Sequence, residues 1–400
     1  MNPNEATKQV VFDDCLKADG PVALHLKQKL LPVEGEGGVI FPPTYADIGY
    51  NIDTLSDGTK VATIDSVGSQ NNRTEPLFKS TGKSEKGEEL NKLAALVPQI
   101  EIILNVTEGG EKYQRRQSLL DLAHRSADAV VKATPSLAKH IGLAFEALNR
   151  HGNAGFLCAI APTSLLFGVW DSRAGTGEKR PRLIRSIIRA WDVDVLHAAA
   201  QFNSVWKDLS EDQQKEIKEE EKKKGKVERS VAGLADAPAT FRTDKVAQFI
   251  GGKPNPEARV LGGVLTKGPI VRDVTINLVA LRALRGKDDE ETKQIQKYLL
   301  GLALLAATTE LELSLREGCL LRYADETDEW RQVPRRGEPS PIKNFPSHAD
   351  LLEFAMDAAQ PFKQKWPKDE SGKALPLEHK FDLAAAKKLL AKKGEEAPTS

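Results

Sequence analysis

The chain has to be arranged around residues 163–189, TSLLFGVWDSRAGTGEKRPRLIRSIIR, because this stretch joins a strongly apolar run to a dense set of arginines. The run (Leu165, Leu166, Phe167, Val169, Trp170) is short, bulky and fenced by Pro162, so it reads as a strand. Gly175 and Gly177 allow a sharp turn after it, and Pro181 stands where a helix would begin. Beyond that proline, Arg182, Arg185, Ser186 and Arg189 recur at i, i+3, i+4 and i+7. Leu183, Ile184, Ile187, Ile188 and Trp191 fill the opposite side, the spacing of an amphipathic helix. From Arg173 to Arg189 there are six basic residues (Arg173, Lys179, Arg180, Arg182, Arg185, Arg189) against one acid, Glu178. Guanidinium forks suit phosphate oxygens, although a basic helix face that simply meets water has the same composition.

That local field stands out because the whole chain of 400 residues carries 57 basic and 57 acidic side chains. Overall neutrality argues against indiscriminate coating of nucleic acid, but not against gripping a strand along a groove. No run approaches the roughly twenty apolar residues of a membrane helix, and MNPNEATKQ lacks a secretory pattern, so a cytoplasmic protein is expected. Cys15, Cys158 and Cys319 lie far apart in apolar surroundings, as buried reduced thiols do.

Several chemistries are refused by spacing. TGKS at 81–84 ends a phosphate-loop pattern whose first glycine position is Leu77, and in GTGEK the lysine is followed by Arg180. There is no HExxH, no paired CxxC and no Gly-x-Ser-x-Gly. The seven histidines are scattered without ligand spacing, so neither a metal nor a cofactor is expected. His124 and Asp128, four apart, suit an ordinary hydrogen-bonded pair better than a ligand pair.

Taken in order, residues 5–17 suggest a helix, and Val22 to Val33 a half-buried strand with Val22, Leu24 and Leu26 inward. GEGGVIFPPTY at 35–45 is a loop, and Val61 to Ile64 is a short strand. It leads into Ser66, Ser69, Gln70, Asn71, Asn72 and Arg73, a hydrogen-bonding cluster that equally fits a helix capped by Ser66. Ile100 to Val106 reads as a buried strand, Ser118 to Lys132 and Pro135 to Arg150 as helices, and Phe156 to Ala161 as a strand. A helix follows Asp194, and the Lys/Glu-rich run at 210–230 is either a solvated helix or a flexible insertion. Strand-like LTKGPIVRDVTINL carries Lys267 and Arg272, and helices are expected at Asn277 to Arg285 and Glu291 to Thr308. Cys319 to Tyr323 and Trp330 to Val333 suggest a hairpin, and Ser347 to Lys363 and the segment from Lys380 suggest helices.

Three segments together, FPPTYADIG, IDSVGSQNNR and PTSLLFGVWDSR...PRLIRSIIRAWDV, resemble the backbone subunit of the type I-G (formerly I-U) CRISPR effector complex, Cascade. That subunit belongs to the Cas-seven family of the RAMP superfamily. LAHRSADAVV, RDVTINLVALRAL and LREGCLLRY extend the resemblance over about residues 20 to 325. It implies an α+β fold: an RRM-like, ferredoxin-type antiparallel-sheet core with helical and thumb-like hairpin insertions. On that basis residues 1–340 form one such domain, interrupted by the Lys/Glu-rich insertion at about 208–230, and 341–400 a C-terminal helical extension with a frayed tail.

The resemblance also implies partners: a CRISPR RNA, target DNA through the guide, further copies of the chain stacked head to tail, and the large and fused five/six-type subunits. A guide whose sequence varies must be held by phosphate and sugar with its base edges left free. The residues expected to do so are Arg173, Lys179, Arg180, Arg182, Arg185 and Arg189, with Ser69, Gln70, Asn71, Asn72 and Arg73 beside them and Lys267 and Arg272 as further candidates. Some of these arginines would instead meet acids of a neighbouring subunit. Such a subunit is not an enzyme. The rival reading is a type III-like backbone subunit that cuts target RNA through a loop aspartate, Asp65 or Asp171; a general RNA chaperone fits less well with only 6% aromatic residues.

Overall fold

The computed structural model of the chain describes residues 12–45, 48–171, 178–198, 205–223, 225, 232, 234, 249–250, 253–254, 260–324, 328–368 and 372–395. Strand β1 (Ala23–Pro32) shows the rule that organises them: Leu24, Leu26, Gln28 and Leu30 are buried, whereas His25, Lys27 and Lys29 turn to the other side. Five more strands matter for the site: β2 (Lys60–Asp65), β3 (Ile184–Trp191), β4 (Ile270–Asn277), β5 (Cys319–Tyr323) and β6 (Glu329–Val333). They belong to a nine-stranded sheet whose main path runs Ser314–Arg316, β5, β1, β4, β3, β2, Ile52–Thr54, each neighbour antiparallel. The order β5-β1-β4-β3 is that of a ferredoxin-type core, which bears out the expected α+β, RRM-like class. The hairpin expected from residues 319–333 is not formed. Instead β5 pairs with Leu30–Pro32 and β6 with Ala23–Lys27, so the two strands lie end to end along one edge of β1.

Among the described residues, the main helices lie against one face of this sheet. They include α1 (Val67–Thr74), α2 (Pro135–His151), α3 (Asp289–Thr308) and α4 (His348–Gln364). Most of α3 is inaccessible, with Leu299, Leu300, Leu302, Leu304 and Leu305 at the centre of the larger core cluster. Helix α4 lies against it so closely that a Cβ on Gly301 would sit 3.0 Å from the Ala355 Cα. Ser66 caps α1, its Oγ accepting from the Ser69 amide at 3.3 Å, as the sequence suggested.

Elsewhere the structure corrects the sequence reading. The segment after Pro181 is strand β3, not a helix; its β-branched residues pair with β4 on one side and β2 on the other. Gly155–Ile160 and Pro162–Leu166 are helices where a strand was expected, because a short apolar run buried on all sides carries no periodicity. Residues 118–132 break into short turns around Arg125, whose backbone is left-handed at φ 52°. The helix expected after Asp194 begins instead as strand Val193–Ala198. Paired with Val260–Thr266, whose other edge takes Val39–Ile40, it continues β3 and β4 as a three-stranded arm whose base, Val193, Leu261 and Val264, is buried in the smaller core cluster. Helix Glu211–Glu221 buries no residue, so of the two readings for this insertion the solvated helix holds there.

One buried ion pair ties the turn after α1 to that irregular segment. Arg125 Nε lies 2.6 Å from Glu75 Oε2, and both side chains are almost wholly enclosed. Burial pushes the Glu75 carboxyl up to about 7, outweighing the pull of Arg125, and burial likewise lowers the Arg125 guanidinium. Folded Glu75 thus keeps a proton over a range in which the unfolded chain has released it. Its contribution to stability is complete below about pH 4.5 and fades as pH rises through about 7. Denaturation midpoints at pH 5 and pH 8 should therefore differ more for the natural chain than for Glu75→Gln, which has no proton to lose there.

Candidate nucleic-acid interface

Because strand side chains alternate, register assigns every residue of the core sheet to the helix-covered face or the open one. On the open face Arg185, Thr275, His25 and Arg331 form one cross-strand row over β3, β4, β1 and β6. Ile187, Asp273, Lys27 and Glu329 form the next, and Thr63, Arg189, Val271 and Lys29 the third. Arg322 on β5 joins them opposite Leu31. Lys27, Lys29, Arg185, Arg322 and Arg331 are exposed and Arg189 half-buried, whereas Ile187 and Val271 among them are buried.

The acids on this face are engaged. Asp273 Oδ1 lies 3.3 Å from His25 Nε2, and the Nδ1 of the same ring lies 3.3 Å from Thr275 Oγ1. That hydrogen bond, aided by charges on Lys27 and Arg189, holds the Asp273 carboxyl below its ordinary range against partial burial. Glu329 Oε2 is 3.6 Å from Arg331 Nη2. The result is a predominantly cationic surface on a rigid sheet.

The expected site residues divide sharply against this surface. Arg185 and Arg189 are on it. Arg182 and Lys179 are exposed just before β3, Lys179 and Arg180 in a strand, Glu178–Arg180, paired with Val169–Asp171. Arg173 lies outside the described residues. Lys267 sits at the base of the arm with its Nζ 2.7 Å from Asp194 Oδ2. Arg272 has to be withdrawn as a surface contact: it is 0% exposed, on the covered face. Its Nε donates to Gln70 Oε1 and Ser186 Oγ, both at 3.2 Å, and its Nη1 to Gln28 Oε1 at 2.5 Å and Ala307 O at 3.0 Å. Burial lowers this guanidinium's pKa.

The polar cluster after β2 is mostly turned inward too. Gln70 donates to Asp65 at 2.7 Å and accepts from Ser186 at 2.8 Å, and Asn71 donates to the Phe167 carbonyl at 3.3 Å. Arg73 bonds Asp65 at 3.1 Å and the Leu315 carbonyl at 2.7 Å. Asn72 is exposed and Ser69 and Arg73 are half-buried, on a helix that Gln70 fastens behind the sheet, away from Arg185 and Arg189. The structure therefore does not bring the two groups into one site. Asp65, one of the two aspartates considered for cleavage, is fully buried among Gln70, Arg73 and Arg316, the last at 3.5 Å. In its place stand His25, Lys27, Lys29, Arg322 and Arg331, which the sequence reading passed over although the inward leucines of β1 already implied that 25, 27 and 29 point the other way.

With this geometry in view, one comparison is informative: residues 24–195 match the family described as CRISPR-associated protein GSU0053. The match supports a CRISPR-associated protein with a role in CRISPR-Cas defence. No curated protein matches the chain. The segment shared with the CRISPR-associated family holds β1, β2 and β3, and with them His25, Lys27, Lys29, Arg185 and Arg189. Among the described residues no three His, Cys, Asp or Glu gather as a metal site, and no helix is long and apolar enough to cross a membrane.

The two arginine environments separate in a stability measurement. Arg272→Ala should cost about 2–4 kcal/mol in denaturant unfolding, since it orphans buried acceptors and opens a cavity. Arg185→Ala, on the open face, should change stability by less than about 0.5 kcal/mol.

Proposed function

We propose that the chain is the guide-binding backbone subunit of a type I CRISPR-Cas interference complex, of the type I-G kind. In this reading it holds the sugar-phosphate chain of the CRISPR RNA, repeats head to tail along it, leaves the bases to pair with target DNA in the cytoplasm, and joins the large and fused five/six-type subunits. The observation that carries the reading is the open sheet face, where Lys27, Lys29, Arg185, Arg189 and Arg331 stand around the central strands. RRM sheets that read bases present aromatic side chains for stacking. The outward positions of β1 and β4 hold no Phe, Tyr or Trp, which suits a surface that binds backbone and ignores sequence. The arm formed by the segment between β3 and β4, to which Val39–Ile40 adds a third strand, is the best candidate for the thumb, with Lys267 at its root. Of the other expected contacts, Lys179, Arg180 and Arg182 lie next to β3, and Arg173 is outside the described residues.

A non-catalytic role is supported by the buried, doubly paired state of Asp65. Incubation of the assembled complex with complementary RNA and magnesium should leave the RNA intact. Cleavage that disappears on Asp65→Ala or Asp171→Ala would establish the enzyme reading instead.

Phosphate contact also fixes a salt dependence. Affinity for single-stranded RNA should fall steeply as salt rises, and the slope of log K against log salt should shrink by about 0.7 for each of Arg185→Ala and Arg189→Ala. Sequence preference should not change, as anisotropy titrations with two unrelated RNAs would show; a flat salt response in the natural chain contradicts the assignment.

A further inference from the structure

A carboxylate occupies the middle of the cationic face. Asp273 is on β4, the central strand; its direct neighbours across the sheet are Ile187 and Lys27, and its diagonal neighbours are Arg185, Arg189, His25 and Lys29. Its side chain is 20% accessible, and His25 is the one donor bonded to it among the described residues. Glu329, in the same row, is more than half exposed and leans towards Arg331 on its own strand, so it is free to swing aside; the short Asp273 side chain is not.

A fixed negative charge at this point repels every phosphate that the surrounding cations attract. Its carboxylate can offset that repulsion by accepting a hydrogen bond from the bound strand as well as from His25. Base donors vary with sequence, and phosphates have none. The ribose 2′-hydroxyl is the one donor that an RNA backbone offers at every residue and DNA lacks. Building on the guide-binding reading above, we propose that Asp273 accepts a hydrogen bond from a ribose 2′-hydroxyl of the bound strand and is the residue through which this face prefers RNA to DNA. The flanking cations take the phosphates, and the carboxylate between them takes the sugar.

The test compares binding of one short sequence as RNA, as 2′-fluoro RNA, which has no hydroxyl donor, and as DNA. The natural chain should bind RNA roughly tenfold or more tightly than the 2′-fluoro strand, the scale of a hydrogen bond to a charged acceptor. In Asp273→Ala that ratio should fall towards one, while the 2′-fluoro and DNA strands bind more tightly than before because the repelling charge is gone. Asp273→Asn keeps an acceptor oxygen in the same shape and should give an intermediate ratio, which carries the test if the alanine variant is poorly folded. A natural chain that does not distinguish RNA from 2′-fluoro RNA overturns the proposal, as does an alanine variant that keeps the full ratio; in both cases tight RNA binding would leave the guide-binding reading standing. A natural chain that binds none of the three strands overturns both.

Discussion

A β-sheet flanked by helices on one side has to sort its side chains by parity, and this chain follows that constraint across its four central strands. Leu24, Leu26, Val274, Ile276 and Ile184 go to the helices, while His25, Lys27, Asp273, Thr275, Arg185 and Arg189 are left on the other face. The apolar half gives the driving force for folding. The other half is under no such demand and is available for charge. The basic surface is therefore a by-product of the same alternation that builds the core, held in place by the core's own rigidity.

The covered face is not wholly apolar. Arg272 crosses from β4 to Gln70 on α1, Ser186 on β3, Gln28 on β1 and the last turn of α3, so one buried guanidinium touches four elements. Asp65 does the converse, gathering Gln70, Arg73 and Arg316. The two networks share Gln70, which donates to one and accepts from the other. Arg272 Nη2 has no hydrogen-bond partner among the described residues; the rest of this buried polar cluster is bonded at so many points that it admits few alternative packings, and fixes α1 and the sheet in one register.

Much of the fold was legible where one period dominates. The leucine alternation of β1, the brief β2, and helices α2, α3 and α4 appear in the structure within a few residues of where patterning put them. Strand β3 was not legible. In IRSIIRAW the arginines satisfy a helical spacing and an alternating one at once, and only pairing with β4 and β2 decides between them. The site fared similarly. Arginine chemistry pointed to Arg185 and Arg189, but Lys27 and Arg331 are brought beside them by strand order, which local sequence does not carry. Gln70, Asn71 and Arg73 have the composition of a binding cluster, and the fold spends them on Asp65, Ser186 and main-chain carbonyls.

The outer strands of the main sheet are short. Ile52–Thr54 ends one side, and Ser314–Arg316 and Ser340–Pro341 end the other, where Pro341 has no amide hydrogen to offer. So little unpaired backbone gives a second sheet almost nothing to zip onto. Growth of a continuous ribbon through this sheet, the ordinary hazard of packing β proteins at high density, is then closed off at both its margins, and the longer exposed edge, Glu111–Ser118, belongs to a separate small sheet.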